Sequence, residues 1–192
     1  ISSEAGDAIT TGSSNVAVGQ GSLESNTTAS NNTAVGQDSL KQNTTGAENT
    51  AVGKGALNAN TTAGYNTAVG RSALLVSTTG QLNTALGTQA LLAHTTGSSN
   101  TAVGKSSLSS STTGATNTAV GQSSGGSITT GNGNTTLGER AGDNTTSLTT
   151  GSNNTIVGSI AYIGTVDSVG AIVFGHAVQG YSGYTTLGYS TS

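Results

Sequence analysis

The apolar residues of this chain recur at one fixed interval. The tetrapeptide Thr-Ala-Val-Gly and its variants close on glycines spaced 17 residues apart, at Gly19, Gly36, Gly53, Gly70, Gly87, Gly104, Gly121 and Gly138. A Leu follows four residues later in most units, at Leu23, Leu40, Leu57, Leu74, Leu91 and Leu108. Small polar residues fill most of the positions between. Self-similarity at a constant period predicts a stack of identical structural units.

Two more columns keep the same phase. A Thr-Thr-Gly or Thr-Thr-Ala marker closes at Gly12, Ala29, Gly46, Ala63, Gly80, Gly97, Gly114 and Gly131. An Asn stands before each strand motif, at Asn15, Asn32, Asn49, Asn66, Asn83, Asn100, Asn117, Asn134 and Asn154. Gly, Asn, Ser and Thr are poor helix formers, and a helix-turn-helix repeat needs about 33 residues.

The repeat therefore predicts an all-β fold, a parallel β-solenoid whose 17-residue coils each contain two short strands and two turns. We expect Gly and Asn to form the corners, because Gly adopts positive φ freely and Asn tolerates it. Stacked coils should place each Asn above the last and form an amide ladder. Nine or ten coils rising about 4.8 Å each would give a rod of roughly 45 Å.

Each predicted strand is apolar on both faces. Adjacent strand side chains point to opposite faces, and Ala34 and Val35 are adjacent and both apolar. One face should line the coil, and the other needs a cover, for which a second copy of the chain is the simplest candidate. The alternative is that the small Ala lies passively at the surface. Each coil has about three modest apolar side chains against about 1.5 kcal/mol of ordering entropy per residue, which also favours association.

Two coils lack the Leu, with Gly125 and Gly142 in its position. The first of these coils carries Ile128 three residues later, and the second carries Leu148 after an apparent three-residue insertion. The opening Gly6 with Ile9 repeats the exchange. We therefore predict one core space per coil that is filled from either of two positions.

The pattern changes after Gly158. Phe174-Gly175 keeps the 17-residue interval, but Gly188 follows after 13. Five of the six aromatic residues lie in this part, at Tyr162, Phe174, Tyr181, Tyr184 and Tyr189. We expect residues 1–158 to form the repeat solenoid and residues 159–192 to form atypical coils, either a cap, a transition to another element or a recognition tip. The candidate receptor-binding residues are Tyr162, Tyr181, Tyr184 and Tyr189, because Tyr is favoured at recognition surfaces.

The composition limits the kinds of partner, site and activity that we expect for this chain. Charged residues make up 7% of the chain, the net charge is -3, and there is no Pro, Cys, Met or Trp. Disordered chains usually carry a high net charge or many prolines. This chain has neither, and its strict periodicity indicates a folded structure. Scattered cations predict no nucleic-acid partner, and no apolar run is long enough for membrane insertion. His94 and His176 are isolated and the acidic residues form no column. We predict no metal site, no cofactor and no enzymatic activity.

The unit Asn-Thr-Ala-Val-Gly followed by Ser/Ala-Leu resembles the head repeats of trimeric autotransporter adhesins, the YadA-like family. It is also similar to the repeat shafts of phage tail-fibre-like and bacterial surface-fibre proteins. The resemblance covers about residues 5–158, and two of its units are represented by Asn32, Val35, Gly36, Leu40, Asn49, Val52, Gly53 and Leu57. It implies a left-handed parallel β-roll in a parallel homotrimer, with the Val column facing the coil core or the trimer axis.

This chain departs from the family in two respects. Its 17-residue repeat is longer than the repeats of adhesin heads, so the corners should differ. It also carries nothing like the self-cleaving chaperone domain that often ends such fibres. Because the chain starts at Ile1 and lacks Met, we interpret it as a piece of a longer protein.

The leading functional interpretation is a structural shaft or head segment of a trimeric fibre, outside the cell on a cell surface or virion, that serves adhesion or host or prey recognition. A second is an adhesin module that binds a cell-surface glycan or envelope component through the C-terminal tyrosines. A third is ice binding, through the column Thr33, Thr50, Thr67, Thr84, Thr101 and Thr118. A fourth is a self-assembling extracellular filament. Polysaccharide cleavage would need carboxylates in a groove, and few acids are available.

Overall fold

The computed structural model describes residues 4–143 and 148–188, and in them the chain is all-β and contains no helix. The chain winds as a parallel β-solenoid. Its strands, in chain order, are β1 (Val16–Val18), β2 (Thr33–Val35), β3 (Thr50–Val52), β4 (Thr67–Val69), β5 (Thr84–Leu86), β6 (Thr101–Val103), β7 (Thr118–Val120), β8 (Thr135–Leu137), β9 (Thr155–Val157), β10 (Tyr162–Ile163), β11 (Ile172–Phe174), β12 (Gln179–Gly180) and β13 (Thr185–Leu187).

Eleven of these strands form one parallel sheet, in the order β1 to β9, then β11 and β13. The pairing register follows the sequence repeat, so Thr33 lies opposite Thr50 and Thr50 opposite Thr67. Between β8 and β9 the interval is 20 residues, as the insertion before Leu148 predicts, and between β11 and β13 it is 13. Because the stack is parallel and in register, every sequence column becomes a row of equivalent side chains.

The prediction of two strands in every coil is wrong for most of the chain. A second strand forms only near the C-terminus, where β10 pairs with β12. In the earlier coils the repeat Leu adopts positive φ, for example +51° at Leu57 and Leu74. A left-handed residue cannot continue an extended strand. Tyr162 stands at the equivalent position after Gly158 and lies in β10.

The middle residue of each strand points into the coil. Ala34 and Ala51 are fully buried and belong to one core with Leu40 and Leu57. The interpretation that Ala lies at the surface is therefore wrong. The coil interior is narrow: a Cβ placed on Gly125, at the Leu position, would lie 3.1 Å from Oγ1 of Thr136, the middle residue of β8. The Leu thus reaches across to the strand, and a small residue opposite it suits the remaining space.

Both ways of filling the core, from the Leu position and from three residues later, occur in the folded chain. Ile128 and Leu148 are fully buried. A Cβ on Gly125 would lie 3.1 Å from Ile128 Cδ1, and one on Gly6 would lie 3.0 Å from Ile9 Cδ1. Ile therefore occupies space that the Leu uses in the other coils, which confirms the prediction of one core space filled from two positions.

The repeat glycines allow stacked backbones to touch. Gly70 has φ +133°, and a Cβ there would lie 2.6 Å from the carbonyl carbon of Gly87. The Asn corners differ from the prediction, since positive φ falls on the residue before the Asn column, as at Glu48 and Tyr65. The Asn of the column instead serves the amide ladder.

Candidate functional site

One regular surface of the rod is the outward side of the eleven-stranded sheet, which we call the outer sheet face. The third residue of each strand lies on it, opposite in direction to the buried middle residue. These third residues form an unbroken apolar stripe, namely Val18, Val35, Val52, Val69, Leu86, Val103, Val120, Leu137, Val157, Phe174 and Leu187. They are half-buried or exposed, up to 71% at Leu187. Contiguous apolar surface of this kind is typical of interaction sites.

A second row runs beside the apolar stripe. It is formed by the first residue of each strand, which is Thr in nine of the eleven strands and Val16 or Ile172 in the other two. The nine are Thr33, Thr50, Thr67, Thr84, Thr101, Thr118, Thr135, Thr155 and Thr185. Side chains two residues apart on a strand are about 7 Å apart, and stacked strands are about 4.8 Å apart. No strand of the sheet contains a charged residue. The outer sheet face is therefore a regular, uncharged array suited to another flat surface.

An amide ladder holds the sheet in register from one side. The backbone N–H of Asn49 donates to Oδ1 of Asn32 at 2.9 Å, and the Asn49 amide donates to the Ala63 carbonyl at 2.9 Å. The same bonds repeat up the column, for example from Asn66 N–H to Asn49 Oδ1 at 3.0 Å. The predicted ladder is confirmed, and it fixes the residue just before each strand.

The repeat residues singled out from sequence thus divide into four roles. Asn32 and Asn49 form the ladder, and Leu40 and Leu57 fill the core. Gly36 and Gly53, at φ +133° and +131°, form the corners where backbones touch. Val35 and Val52 lie on the outer sheet face and are half-buried. The alternation of side chains along a strand does not decide whether Val faces the coil core or the outside. In the structure Val faces outside.

A second buried polar row was not recognised as a ladder from sequence. We call it the inner column, and it contains Asn26, Asn43, Asn60, Ser77, His94 and Ser111. The Asn43 amide donates to Asn26 Oδ1 and to the Gly46 carbonyl, both at 2.9 Å. The signal available in the sequence was the constant 17-residue spacing of these polar residues.

His94 is the one titratable member of the inner column. Its Nε2 lies 2.7 Å from the Gly97 carbonyl oxygen, and the residue is fully buried. Burial lowers the pKa of His94, and the backbone carbonyls of Gly97 and Ser111 oppose this shift in part. A neutral imidazole with the proton on Nε2 satisfies the carbonyl as the Asn amide does in other coils.

Three of the four candidate tyrosines lie among the described residues, in the C-terminal coils. Tyr181 and Tyr184 are 56% and 70% exposed and share a turn, in which Tyr184 N–H donates to the Tyr181 carbonyl at 3.2 Å. Tyr162 lies on the earlier strand β10, half-buried, with its hydroxyl 3.4 Å from Gln179 Oε1. Tyr189 lies outside the described residues. Phe174 and Leu187, in the same part of the chain, are also exposed, at 41% and 71%.

Charged groups contribute little to any site. Lys41 Nζ lies 3.1 Å from Asp38 in its own coil and 3.3 Å from Glu24 in the preceding coil. The hydrogen bond to Asp38, then that to Glu24, raises the pKa of Lys41. Within residues 4–143 and 148–188, no three His, Asp or Glu side chains are grouped so as to hold a metal ion. The described part of the chain also has no helix with the length and apolarity to cross a membrane.

Comparison of the chain with protein-family models, curated proteins and solved structures found no match.

Proposed function

We propose that this chain is a structural segment of a trimeric extracellular fibre that serves adhesion or host or prey recognition. Three copies run parallel as left-handed solenoids, and each turns its apolar stripe toward the shared axis. The observation that carries the proposal is the stripe itself, eleven apolar residues in one row on the outer sheet face. The resemblance of the repeat to trimeric fibre repeats supplies the three-fold symmetry and the handedness.

The size of the stripe is consistent with stable association. Full burial of a Val or Leu side chain contributes about 1.5–3 kcal/mol. Since most of the stripe residues expose less than half of their surface in one chain, we assign about 1 kcal/mol to each residue covered. Eleven residues then contribute about 11 kcal/mol per chain, or about 33 kcal/mol per trimer, which exceeds the cost of about 8–30 kcal/mol for two association steps. Parallel packing keeps equivalent rows at equal height, so apolar residues meet along the whole rod.

In such an assembly the chain acts through stiffness, reach and multivalency. Backbone hydrogen bonds link each coil to the next along the whole rod, as from Thr50 N–H to the Asn66 carbonyl at 2.8 Å. A stiff rod holds whatever follows it away from the surface to which it is attached. Three identical copies also present three copies of any recognition site, and linked sites gain avidity through effective concentration. This role requires no catalytic group.

Substitution of Val69 tests the proposal. Val69 is half-buried in the middle of the apolar stripe, and Val69→Asp would bring three unpaired carboxylates to the axis, at several kcal/mol each. We expect sedimentation velocity to give a trimer for the original chain and a monomer for Val69→Asp. The matched control is Thr79→Asp, since Thr79 is exposed and lies outside the sheet, and it should remain trimeric. A Val69→Asp variant that keeps both the circular dichroism spectrum and the mass of the original chain would contradict the proposal.

A second candidate function rests on the exposure of Tyr181 and Tyr184. Tyr rings combine a large apolar face with a polar tip and bind sugars by stacking. The chain would then be an adhesin module for a cell-surface glycan or envelope component. Binding to a glycan array that disappears in Tyr181→Ala and Tyr184→Ala, with the mass of the assembly unchanged, would support this function. Equal binding by the variants would exclude these residues.

A further inference from the structure

The inner column changes character halfway along the rod. In the first coils of the column the Asn43 and Asn60 amides each donate to the Oδ1 of the Asn in the preceding coil, at 2.9 and 2.8 Å. Each also donates to the carbonyl three residues ahead, as Asn60 does to Ala63 at 2.9 Å. In the next three coils the column holds Ser77, His94 and Ser111, which cannot continue this ladder.

These three coils remain in register with those before them. Thr61 N–H donates to the Thr78 carbonyl, Thr78 N–H to the Thr95 carbonyl, and Thr95 N–H to the Thr112 carbonyl, at 3.3, 2.9 and 2.8 Å. Each of these threonines directly follows a residue of the inner column. The column residues therefore stand one above another, and each Ser occupies the place of an Asn.

Within residues 4–143 and 148–188, four buried side-chain atoms have no hydrogen-bonding protein group. They are Asn60 Oδ1, Ser77 Oγ, His94 Nδ1 and Ser111 Oγ. All four lie in the inner column, in four successive coils, and their residues are fully buried. An unsatisfied buried polar atom costs about 1–3 kcal/mol. Because all four unsatisfied atoms lie in one row, a single cause should account for their lack of a hydrogen-bonding group.

The short side chains of Ser77 and Ser111 explain why these atoms lack a partner. A Ser side chain has two fewer heavy atoms than Asn and ends one bond earlier, so it lacks the amide nitrogen that bonds the coil before and the carbonyl three residues ahead. At Ser77 those two acceptors are Asn60 Oδ1 and the Gly80 carbonyl. A water molecule at the place of the amide nitrogen would donate to both and accept from the Ser77 hydroxyl. Three hydrogen bonds is the usual number for a buried water.

The same arrangement recurs at Ser111. His94 Nε2 bonds the Gly97 carbonyl, which leaves Nδ1 as an acceptor where an Asn would present Oδ1. A water at Ser111 would donate to His94 Nδ1 and the Gly114 carbonyl and would accept from the Ser111 hydroxyl. We propose that the inner column binds two internal water molecules, one at Ser77 and one at Ser111. Together they satisfy all four atoms.

Counting of internal water tests the proposal directly. Oxygen-17 magnetic relaxation dispersion measures the number of water molecules held longer than the protein tumbles. We expect Ser77→Asn and Ser111→Asn each to lower that number by one per chain, and the double variant to lower it by two. Ser110→Asn is the matched control, since Ser110 is exposed beside Ser111, and it should change nothing. An equal count in the double variant and the original chain would overturn the proposal.

The nitrogen-15 shift of His94 gives a second test on the unmodified chain, so the result does not depend on how a variant folds. We expect the proton on Nε2 and the signal of a hydrogen-bonded acceptor at Nδ1. Ser111→Asn should shift the Nδ1 signal, because an amide replaces the water, whereas Ser77→Asn should leave it in place. An Nδ1 signal typical of a nitrogen without any hydrogen bond would overturn the water at Ser111.

Discussion

The coil from Gly121 to Gly131 offers a sharp test of how this solenoid fills its core. Its Leu position is Gly125, with φ +58°, and its inner-column position is Ile128, which is fully buried. The preceding coils reverse this arrangement, with Leu at the first position and a polar residue at the second. Gly125→Leu together with Ile128→Asn would therefore convert this coil into one of the common type.

The two single substitutions should each be costly. Ile128→Asn removes a buried side chain and leaves a cavity, at about 3 kcal/mol. Gly125→Leu places a side chain against Ile128 Cδ1, 3.1 Å from its Cβ, and against Leu108 Cδ2 at 3.0 Å. Overpacking of this kind costs about 1–3 kcal/mol. In the double variant the new Leu takes the space of Ile128, and only the left-handed strain of about 1–2 kcal/mol remains.

Denaturant titration at one fixed protein concentration gives the free energy of unfolding of each variant and tests the predicted coupling between the two substitutions. With the left-handed strain of Gly125→Leu included, the single losses add to about 6–7 kcal/mol. We expect the double variant to lose about 1–2 kcal/mol, a coupling of about 5 kcal/mol. Gly125→Leu combined with Leu40→Ala, about 24 Å away along the stack, should be additive and serves as the control. Additive losses in the Gly125/Ile128 pair would refute the idea of one shared core space.

Two further predictions concern the inner column and the corners. Because burial lowers the pKa of His94 below 6.5, the unfolded chain binds a proton more readily, so stability should fall as the pH drops below about 6.5. His94→Asn should raise the melting temperature more at about pH 5 than at about pH 7.5, and an equal rise at both would contradict this. Gly70→Ala should destabilise severely, since its Cβ would lie 2.6 Å from the Gly87 backbone, whereas Gly188→Ala meets nothing within 4 Å. Similar melting temperatures for the two variants would be the contrary result.

The solenoid fold, its 17-residue register and the amide ladder could all be predicted from the sequence. These features repeat in every coil, so small local signals at Asn32 and Gly36 are multiplied along the chain. The 20-residue coil before Leu148 and the 13-residue interval at the C-terminus were also visible as phase shifts, and the strand pairing follows both.

Other features depend on backbone geometry that side-chain pattern does not encode. Leu carries no turn signal, yet it adopts positive φ in six coils, at Leu23, Leu40, Leu57, Leu74, Leu91 and Leu108, and this removes the second strand. Alternation puts Ala34 and Val35 on opposite faces but does not say which face is inside. The narrow coil decides it, because Leu crosses the interior and leaves room for a methyl group. The water sites at Ser77 and Ser111 follow only from hydrogen-bond accounting in the folded chain.

The central claim is that the apolar stripe of the outer sheet face is covered by identical chains. The molar mass of the chain in solution, measured by light scattering over a series of dilutions, tests it most directly. One chain has a mass of 18.5 kDa. The account predicts three times that mass, stable on dilution. A mass of 18.5 kDa at every concentration would contradict it and would leave the rows of Val and Thr facing solvent.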